Sequence, residues 1–154
     1  MEAIRERQLG GEREEYPILN IYPEGCTTNG SALIKFKKGA FYNLRPVRPS
    51  TLKYYSPGIS SSQDVAGFLY HTLLTSMCFY ITIQNDILPV FAPNEFFWKN
   101  HWDEKKEEKW EAYARVVRDV MADHLGKPVC DLAMEDKFTY SLILKGQVKA
   151  SKEE

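Results

Sequence analysis

The chain has no excess of positive charge: 20 Lys and Arg residues are balanced by 21 Asp and Glu residues over 154 positions, a formal net charge of -1. Nucleic acid binding usually needs a strongly basic face, so we expect no nucleic acid partner. Cysteine is also scarce, and Cys26, Cys78 and Cys130 are never paired at the spacing of metal ligands. We therefore expect reduced thiols and no metal site. The N-terminal residues contain no apolar run, so no secretory signal is expected there.

Charge is absent altogether from Val65 to Asn85, a run of 21 residues without Asp, Glu, Lys or Arg. Apolar residues recur at helical spacing as far as Met77, whereas Phe79, Ile81 and Ile83 alternate with polar residues or tyrosine. The pattern predicts a helix followed by a strand. Three alternatives stay open for the helix: a core helix, a helix lying on a lipid surface, and a bilayer span, which its many polar residues disfavour.

The remaining periodicity predicts an α/β protein in which strands and helices alternate. The best helix is Glu107–Leu125, which is predicted to bury Trp110, Val117 and Met121 and to end at Gly126 and Pro128. The other predicted elements are two strands, "ILNIYP" (18–23) and "PVRPSTLKYY" (46–55), and two helices, "ALIKFK" (32–37) and "EDKFTYSLILK" (135–145). The two strands, near Ile18 and Pro46, are expected to lie side by side.

A loop rich in polar residues, "YPEGCTTNGSALIKFKKGAF", runs from Tyr22 to Phe41 between a predicted strand and a predicted helix. Ligands often bind at such a position in α/β proteins. Features that suit a phosphate or another anion are backbone amides at Gly25, Asn29 and Gly30, hydroxyls on Thr27 and Thr28, a helix N-terminus near Ser31, and the cations Lys35, Lys37 and Lys38. A capped turn with solvated lysines is the open alternative.

Several blocks of the sequence resemble the glycerolipid acyltransferases, in the form found in the lysophosphatidylcholine acyltransferase branch. The loop resembles the block written F-P-E-G-T, and "LRPVRPS" (44–50) resembles the next block, V-P-V-x-P-V. "LPVFAPNE" (88–95) is similar to L-P-V-Y-x-P-x-E, and "YARVVRDVMADHLGKPVCDLAMED" (113–136) to a helix, turn and E-D segment of that branch. The blocks occur in the family's order over roughly Tyr16 to Asp136.

The resemblance implies transfer of a fatty acyl chain from acyl-coenzyme A, a co-substrate rather than a bound cofactor, to the free hydroxyl of a lysophospholipid. By position, Glu24, Gly25, Thr27 and Thr28 would contact the glycerol-phosphate part of the acceptor. Asn29, Lys37 and Lys38 complete the expected substrate site, and Pro46, Val47 and Pro49 would shape a pocket. Three residues depart from the family pattern: Cys26, Arg48 and Ser50.

The family's catalytic element, H-x-x-x-x-D, is missing from this sequence. In that element the histidine removes the proton from the attacking hydroxyl and the aspartate orients the imidazole. The three histidines are followed at the required place by other residues: His71 by Ser76, His101 by Lys106 and His124 by Val129. No catalytic residue is therefore assigned, and we expect the chain by itself to be inactive.

Two explanations follow from this absence. One is that residues 16–146 are the C-terminal part of an acyltransferase domain, giving a partial fold with a mixed sheet flanked by helices and without its N-terminal half. The other is a non-catalytic subunit with a structural or lipid-binding role in a larger complex at a membrane. Residues 1–15 are expected to form an N-terminal helix and linker, and 147–154 a polar tail. The family implies the endoplasmic reticulum membrane; a complex of another organelle, such as the mitochondrion, is the alternative.

Overall fold

The structure is a computed structural model that describes residues 2–12, 16–56, 67–144 and 146. It is a small α/β protein with five α-helices and two strands in its described part. In chain order these are α1 (Glu2–Glu12), a 3₁₀ turn (Lys38–Ala40), β1 (Ser50–Tyr55), α2 (Phe68–Ser76), β2 (Thr82–Ile87), α3 (Glu95–His101), α4 (Lys109–Leu125) and α5 (Met134–Leu144). The polar tail, 147–154, lies outside the described residues.

The two strands form an antiparallel sheet whose register runs from Ser50 opposite Ile87 to Tyr55 opposite Thr82. Both strands overlap segments predicted from the sequence. The mixed sheet and the strand at 18–23 are wrong for the described residues, because that segment is irregular and Ile18 is 92% exposed. A strand needs a neighbour to pair its backbone groups, and no described segment pairs with this one as a strand.

Helix α4 is the central element of the core, as its periodicity predicts. It begins with a capping box between Glu108 and Glu111, and it ends at Gly126 in the left-handed conformation with φ of 63°. Val117 is buried as predicted, whereas Trp110 and Met121 pack only partly buried at the edge of the core. The buried cluster around α4 contains Leu33, Phe36, Phe41, Phe97, Tyr113, Ala114, Val117 and Ala122.

Tyr113 of α4 is fully buried and joins the helix to the sheet. Its hydroxyl lies 2.9 Å from the carbonyl oxygen of Arg45 and 3.0 Å from that of Phe91, so its single proton can be donated to either carbonyl. These carbonyls stand on the chain entering β1 and the chain leaving β2, which also meet in a bridge between Val47 and Phe91. Burial raises the pKa of Tyr113, so the hydroxyl remains a donor.

The predicted helix at 32–37 is wrong, because this segment is extended. Leu33 forms a parallel bridge with Val129, donating from its amide to Pro128 at 3.0 Å and accepting from the amide of Cys130 at 2.8 Å. The Lys35 amide donates to Leu132 at 2.9 Å. These bonds to a distant part of the chain satisfy the backbone without a helix, so tertiary pairing overrides the local pattern.

Helices α2 and α5 occur where the sequence predicts them, but neither has a buried residue. The core-helix alternative for α2 is therefore wrong. Leu69 and Leu73 are 76% and 67% exposed, and Phe79 just after the helix is fully exposed. None of the helices in the described part of the chain has the length and apolar character that a bilayer span requires.

Replacing Tyr113 by Phe tests whether its hydroxyl holds together the segment that enters β1 and the segment that leaves β2. The change removes the hydroxyl donor from the Arg45 carbonyl, whereas the Phe91 carbonyl still accepts from the Val47 amide at 2.9 Å, so we expect the free energy of unfolding to fall by about 1 kcal/mol. Urea unfolding followed by circular dichroism measures it. Tyr42→Phe, at a ring that is 46% exposed, is the matched control and should change stability by less than about 0.5 kcal/mol. Equal effects of the two changes would contradict this role.

Candidate functional site

A cleft with a volume of about 1080 Å³ lies between the loop at 22–32 and strand β1, with the end of α4 as part of its wall. This volume is in the range of small-molecule sites. One side is polar and comes from the loop, whereas β1, Tyr80 and α4 add aromatic and aliphatic side chains. The lining residues that the following paragraphs use are Glu24, Thr27, Thr28, Asn29, Thr51, Leu52, Tyr54, Tyr55, Tyr80, Met121, Leu125 and Lys127.

The loop begins with a tight turn at Gly25. The Gly25 amide donates to the Tyr22 carbonyl at 3.2 Å, and Gly25 has φ of 71°, a conformation that favours glycine. A Cβ at this position would also lie 3.1 Å from Cδ of Lys37. The Lys37 amide donates to the Pro23 carbonyl at 2.7 Å, which fixes the turn against the extended segment that follows.

The Glu24 carboxylate closes the loop on itself. Its Oε1 accepts from the Ile34 amide at 3.3 Å. Burial raises the pKa of Glu24, and hydrogen bonds from the Ile34 amide and the Thr28 side chain oppose that rise. Glu24 is thus a partly desolvated carboxylate at the cleft wall that is already bound to the backbone of its own loop.

The tip of the loop uses its own side chains to satisfy its amides. The Asn29 carbonyl oxygen accepts from the Ser31 amide at 3.1 Å, and the Thr28 hydroxyl accepts from the Gly30 amide at 3.4 Å. No helix begins near Ser31, so the predicted helix N-terminus is wrong. An anion at this tip would have to compete with these local bonds.

The residues predicted to bind substrate separate into two places. Glu24, Thr27, Thr28 and Asn29 line the cleft, whereas Gly25 shapes the turn behind it. Lys37 and Lys38 face a second, smaller groove of about 450 Å³ that includes Trp110, Ala133 and Met134. There the Lys37 ammonium pairs with Glu135 at 2.9 Å, and Lys38 pairs with Glu108 at 3.1 Å.

The expected pocket residues Pro46, Val47 and Pro49 do not line the cleft. Val47 is bridged to Phe91, and Pro49 is buried with its carbonyl accepting from the Leu88 amide at 2.9 Å. They hold the start of β1 in place, and the residues that follow them line the cleft instead. Their role in shaping a pocket is therefore indirect in this geometry.

Thr51, Tyr80 and Lys127 also line the cleft, although no motif in the sequence marks them. Lys127 follows the C-cap of α4, where its amide donates to Ala122 at 3.0 Å. Its ammonium has no ion pair within the described part of the chain. The one feature of the sequence that could have pointed to Lys127 is the helix stop predicted at Gly126 and Pro128, because it places Lys127 at the end of a helix.

The fold pairs one histidine with a carboxylate that is distant in sequence. Nε2 of His124 lies 3.3 Å from Oδ2 of Asp86, and the same Oδ2 accepts from the Gln84 side-chain amide at 3.2 Å. The pKa of Asp86 is lowered by the Gln84 hydrogen bond first, and then by His124 and Lys53. This pair is not in the cleft lining, and neither are His71 and His101.

Comparison with known proteins gives several acyltransferases as relatives. Lysophosphatidylcholine acyltransferase of Drosophila melanogaster is 38% identical over 130 residues, which is 83% of this chain. Human lysophosphatidylcholine acyltransferase 2 is 34% identical over 88% of the chain, and lysophospholipid acyltransferase LPEAT1 of Arabidopsis thaliana is 31% identical over 99%. The chain belongs to the family of the lysophospholipid acyltransferases. No family model matches it, and no solved structure matches it.

The match to the lysophospholipid acyltransferases covers the whole cleft but only part of each relative. The chain spans about a quarter of the length of the curated relatives it matches, from 23% of the fly and human proteins to 35% of the plant protein. The Arabidopsis match extends over 153 residues and so includes the loop, β1 and the end of α4. The resemblance seen in the motif blocks is confirmed.

Changing Glu24 to Gln should alter how stability depends on pH. A raised carboxyl pKa means that the folded chain favours the protonated form of Glu24. The stability that this protonated form contributes is complete below the unfolded-state pKa near 4.5, and it is lost as the pH rises through the folded-state pKa. We therefore expect the melting temperature of Glu24→Gln, relative to that of the unchanged protein, to rise between about pH 4 and about pH 7.

Glu135→Gln provides the control of opposite sign. The hydrogen bond from Lys37 lowers the pKa of Glu135, so this change should cost a little stability at neutral pH and nothing in acid. Thermal unfolding across the pH range measures both variants. A Glu24→Gln difference that stays constant with pH would show that burial does not perturb this carboxyl.

Proposed function

We propose that this chain supplies the acceptor-lipid cleft of a lysophospholipid acyltransferase. The observation that carries the proposal is the position of the P-E-G loop: its polar residues line the same cleft as the aromatic residues of β1. Relatives named as lysophosphatidylcholine or lysophospholipid acyltransferases support the same substrate class.

The cleft suits a single-chain amphiphile because its two sides differ in chemistry. Glu24, Thr28 and Asn29 offer polar groups on the loop side. The opposite side offers the rings and aliphatic groups of Leu52, Tyr54, Tyr55, Tyr80, Met121 and Leu125. A lysophospholipid carries a phosphate head, a glycerol unit and one acyl chain, so each side of the cleft would meet a matching part of the ligand.

We assign the phosphate contact to Lys127 rather than to Lys37 and Lys38. Lys127 lines the cleft, and its ammonium is not engaged in an ion pair with any described residue. Lys37 and Lys38 are held by Glu135 and Glu108 in the second groove, so a phosphate would have to displace a carboxylate from each. Lys53, the other lysine of the cleft, already lies 3.9 Å from Asp86.

Acyl transfer at the cleft would need a general base. Transfer from acyl-coenzyme A requires removal of the proton of the acceptor hydroxyl, and none of the three histidines lines the cleft. The cleft is therefore proposed to bind and orient the acceptor, with the base coming from elsewhere in the acting protein.

A non-catalytic subunit of a membrane-associated complex is the second candidate. The observation that favours it is the exposed apolar surface of α2 and α5, where Phe68 and Phe138 are 68% and 57% exposed. Surface of this kind marks sites that contact lipid or other polypeptide. The endoplasmic reticulum membrane is the proposed location, and a complex of another organelle membrane is the alternative.

Lys127→Ala should weaken binding of lysophosphatidylcholine, measured by calorimetry below its critical micelle concentration. Loss of a charge-assisted contact predicts an affinity about three- to tenfold lower, with a smaller difference at high salt. Lys99→Ala, which removes an exposed lysine outside the cleft lining, is the control and should bind normally.

The double change of Lys37 and Lys38 to Ala distinguishes the two grooves. It should leave lysophosphatidylcholine affinity within about twofold, because both ammonium groups are outside the cleft. The reverse result, with loss in the double variant and none in Lys127→Ala, would return the phosphate to the second groove.

These residues alone should not transfer acyl groups at an enzymatic rate. Loss of a general base and its orienting partner costs several powers of ten in rate. Release of free thiol from acyl-coenzyme A, measured with and without lysophosphatidylcholine, tests this. Turnover that disappears in His124→Asn would contradict the expectation and identify the His124 and Asp86 pair as the base.

A further inference from the structure

The carboxylate of Asp86 is shared by two basic side chains from different elements. Its Oδ2 lies 3.3 Å from Nε2 of His124 on α4 and 3.9 Å from the ammonium nitrogen of Lys53 on β1. The Gln84 side-chain amide donates to both carboxylate oxygens, at 3.0 and 3.2 Å. The distance from Lys53 is too long for a hydrogen bond. Lys53 is therefore held at Asp86 by charge attraction alone.

The register of the sheet places Lys53 and Asp86 on the same face. Lys53 stands opposite Gln84, and Asp86 is two positions further along β2, so the two side chains are diagonal neighbours. Each is the only charged residue of its strand. Lys53 lines the cleft, whereas Asp86 and His124 do not. One ammonium group thus belongs both to the cleft wall and to a charge cluster beside it.

The net charge of this cluster depends on His124. Histidine is the side chain that most often gains a proton as the pH falls from about 8 to about 5. The Gln84 hydrogen bond, followed by the contacts from His124 and Lys53, lowers the pKa of Asp86, so this carboxylate stays ionised over that range. With neutral His124, the charges of Lys53 and Asp86 cancel. Protonated His124 gives Asp86 a closer cation, and the cluster then carries a net positive charge.

We propose that Lys53 is a second phosphate-binding residue of the cleft and that protonation of His124 releases it from Asp86. This inference rests on the proposed function of the cleft, in which Lys127 contacts the phosphate. Phosphate oxygens can accept from two cations, and the flexible four-carbon stem of lysine lets its ammonium turn from a carboxylate toward a ligand. Asp86 and His124 act through Lys53 and are positioning residues. Affinity for a lysophospholipid then rises in mild acid.

Other charged groups near the cleft have to be separated from this effect. Burial raises the pKa of Glu24, which lines the cleft, so its protonation in mild acid also favours an anion. Asp123 precedes His124 on α4, and Lys127 follows the helix. All three stay in place when only His124 is changed. The difference between that variant and the unchanged protein therefore isolates the contribution of His124.

His124→Gln is the informative change, because glutamine can still donate to Asp86 but cannot gain a charge. The probe is lysophosphatidylcholine below its critical micelle concentration, since its headgroup keeps its charges throughout this range. Calorimetry at constant ionic strength gives the ratio of its affinities at about pH 5.5 and about pH 8. We expect this ratio to be about two- to fivefold larger in the unchanged protein than in His124→Gln. His71→Gln, the same change outside the cleft lining, should behave like the unchanged protein.

Two further variants test the role of Lys53 itself. Lys53→Met keeps an apolar stem without the ammonium and should lose the same part of the pH response. Asp86→Asn removes the competing carboxylate and should raise the affinity at about pH 8 by about two- to fivefold. The side chains of Lys53, Asp86 and His124 are 30%, 28% and 38% exposed, so these changes leave the buried core intact.

Each remaining outcome overturns a defined statement. A pH response that survives in Lys53→Met would mean that His124 acts on the ligand without Lys53, and the inference would fail. Equal ratios in the unchanged protein and His124→Gln would assign the response to Glu24 and would also overturn it. In both cases, binding that is weakened by Lys127→Ala would leave the proposed function standing. Failure of the unchanged protein to bind the lipid at either pH would overturn the proposed function together with this inference.

Discussion

The hydroxyl of Tyr113 lies within hydrogen-bonding distance of the carbonyl oxygens of Arg45 and Phe91, at 2.9 and 3.0 Å. Around it, the ring of Tyr113 contacts those of Phe41 and Phe91, with centroids 5.2 and 5.6 Å away. One side chain thus fixes where the chain enters β1 and where it leaves β2. Since the two strands form the sheet of the described residues, the position of the sheet against α4 depends on this buried tyrosine.

The cleft is a consequence of that arrangement. With β1 held against α4, the last turn of the helix brings Met121 and Leu125 to one wall, and the αL residue Gly126 turns the chain so that Lys127 follows at the same wall. The loop closes the opposite side because Glu24 accepts from the Ile34 amide. Segment 33–35 is in turn held by its bonds to 128–132. Polar and apolar walls therefore come from parts of the chain that meet only in the fold.

Exposed apolar side chains are concentrated away from this centre. Ile18 before the loop, Tyr22 at its start, and helices α2 and α5 present large side chains to solvent, whereas α4 is packed. The chain also matches only about a quarter of the length of its fly and human relatives. Exposed apolar side chains of this kind support the proposal that further polypeptide or lipid contacts these segments in the acting protein.

The sequence by itself determined the elements whose signals are local. The apolar period of α4, with Gly126 as its stop, located that helix, and local patterns also located α2, α5 and much of both strands. Motif blocks in a fixed order identified the family, which the relatives confirm. These features are encoded within about one to three turns or one strand of sequence, so distant residues are not needed to recognise them.

Only the tertiary structure decided the features that depend on distant partners. Residues 32–37 are extended because Leu33 pairs with Val129, and residues 18–23 are not a strand because no described strand lies beside them. Lys37 is removed from the cleft by a carboxylate 98 positions further along the chain. Thr51 and Lys127 carry no motif, and they became site residues only when β1 packed against α4. Non-local pairing of this kind leaves no periodic trace in the sequence, because each partner alone is compatible with several structures.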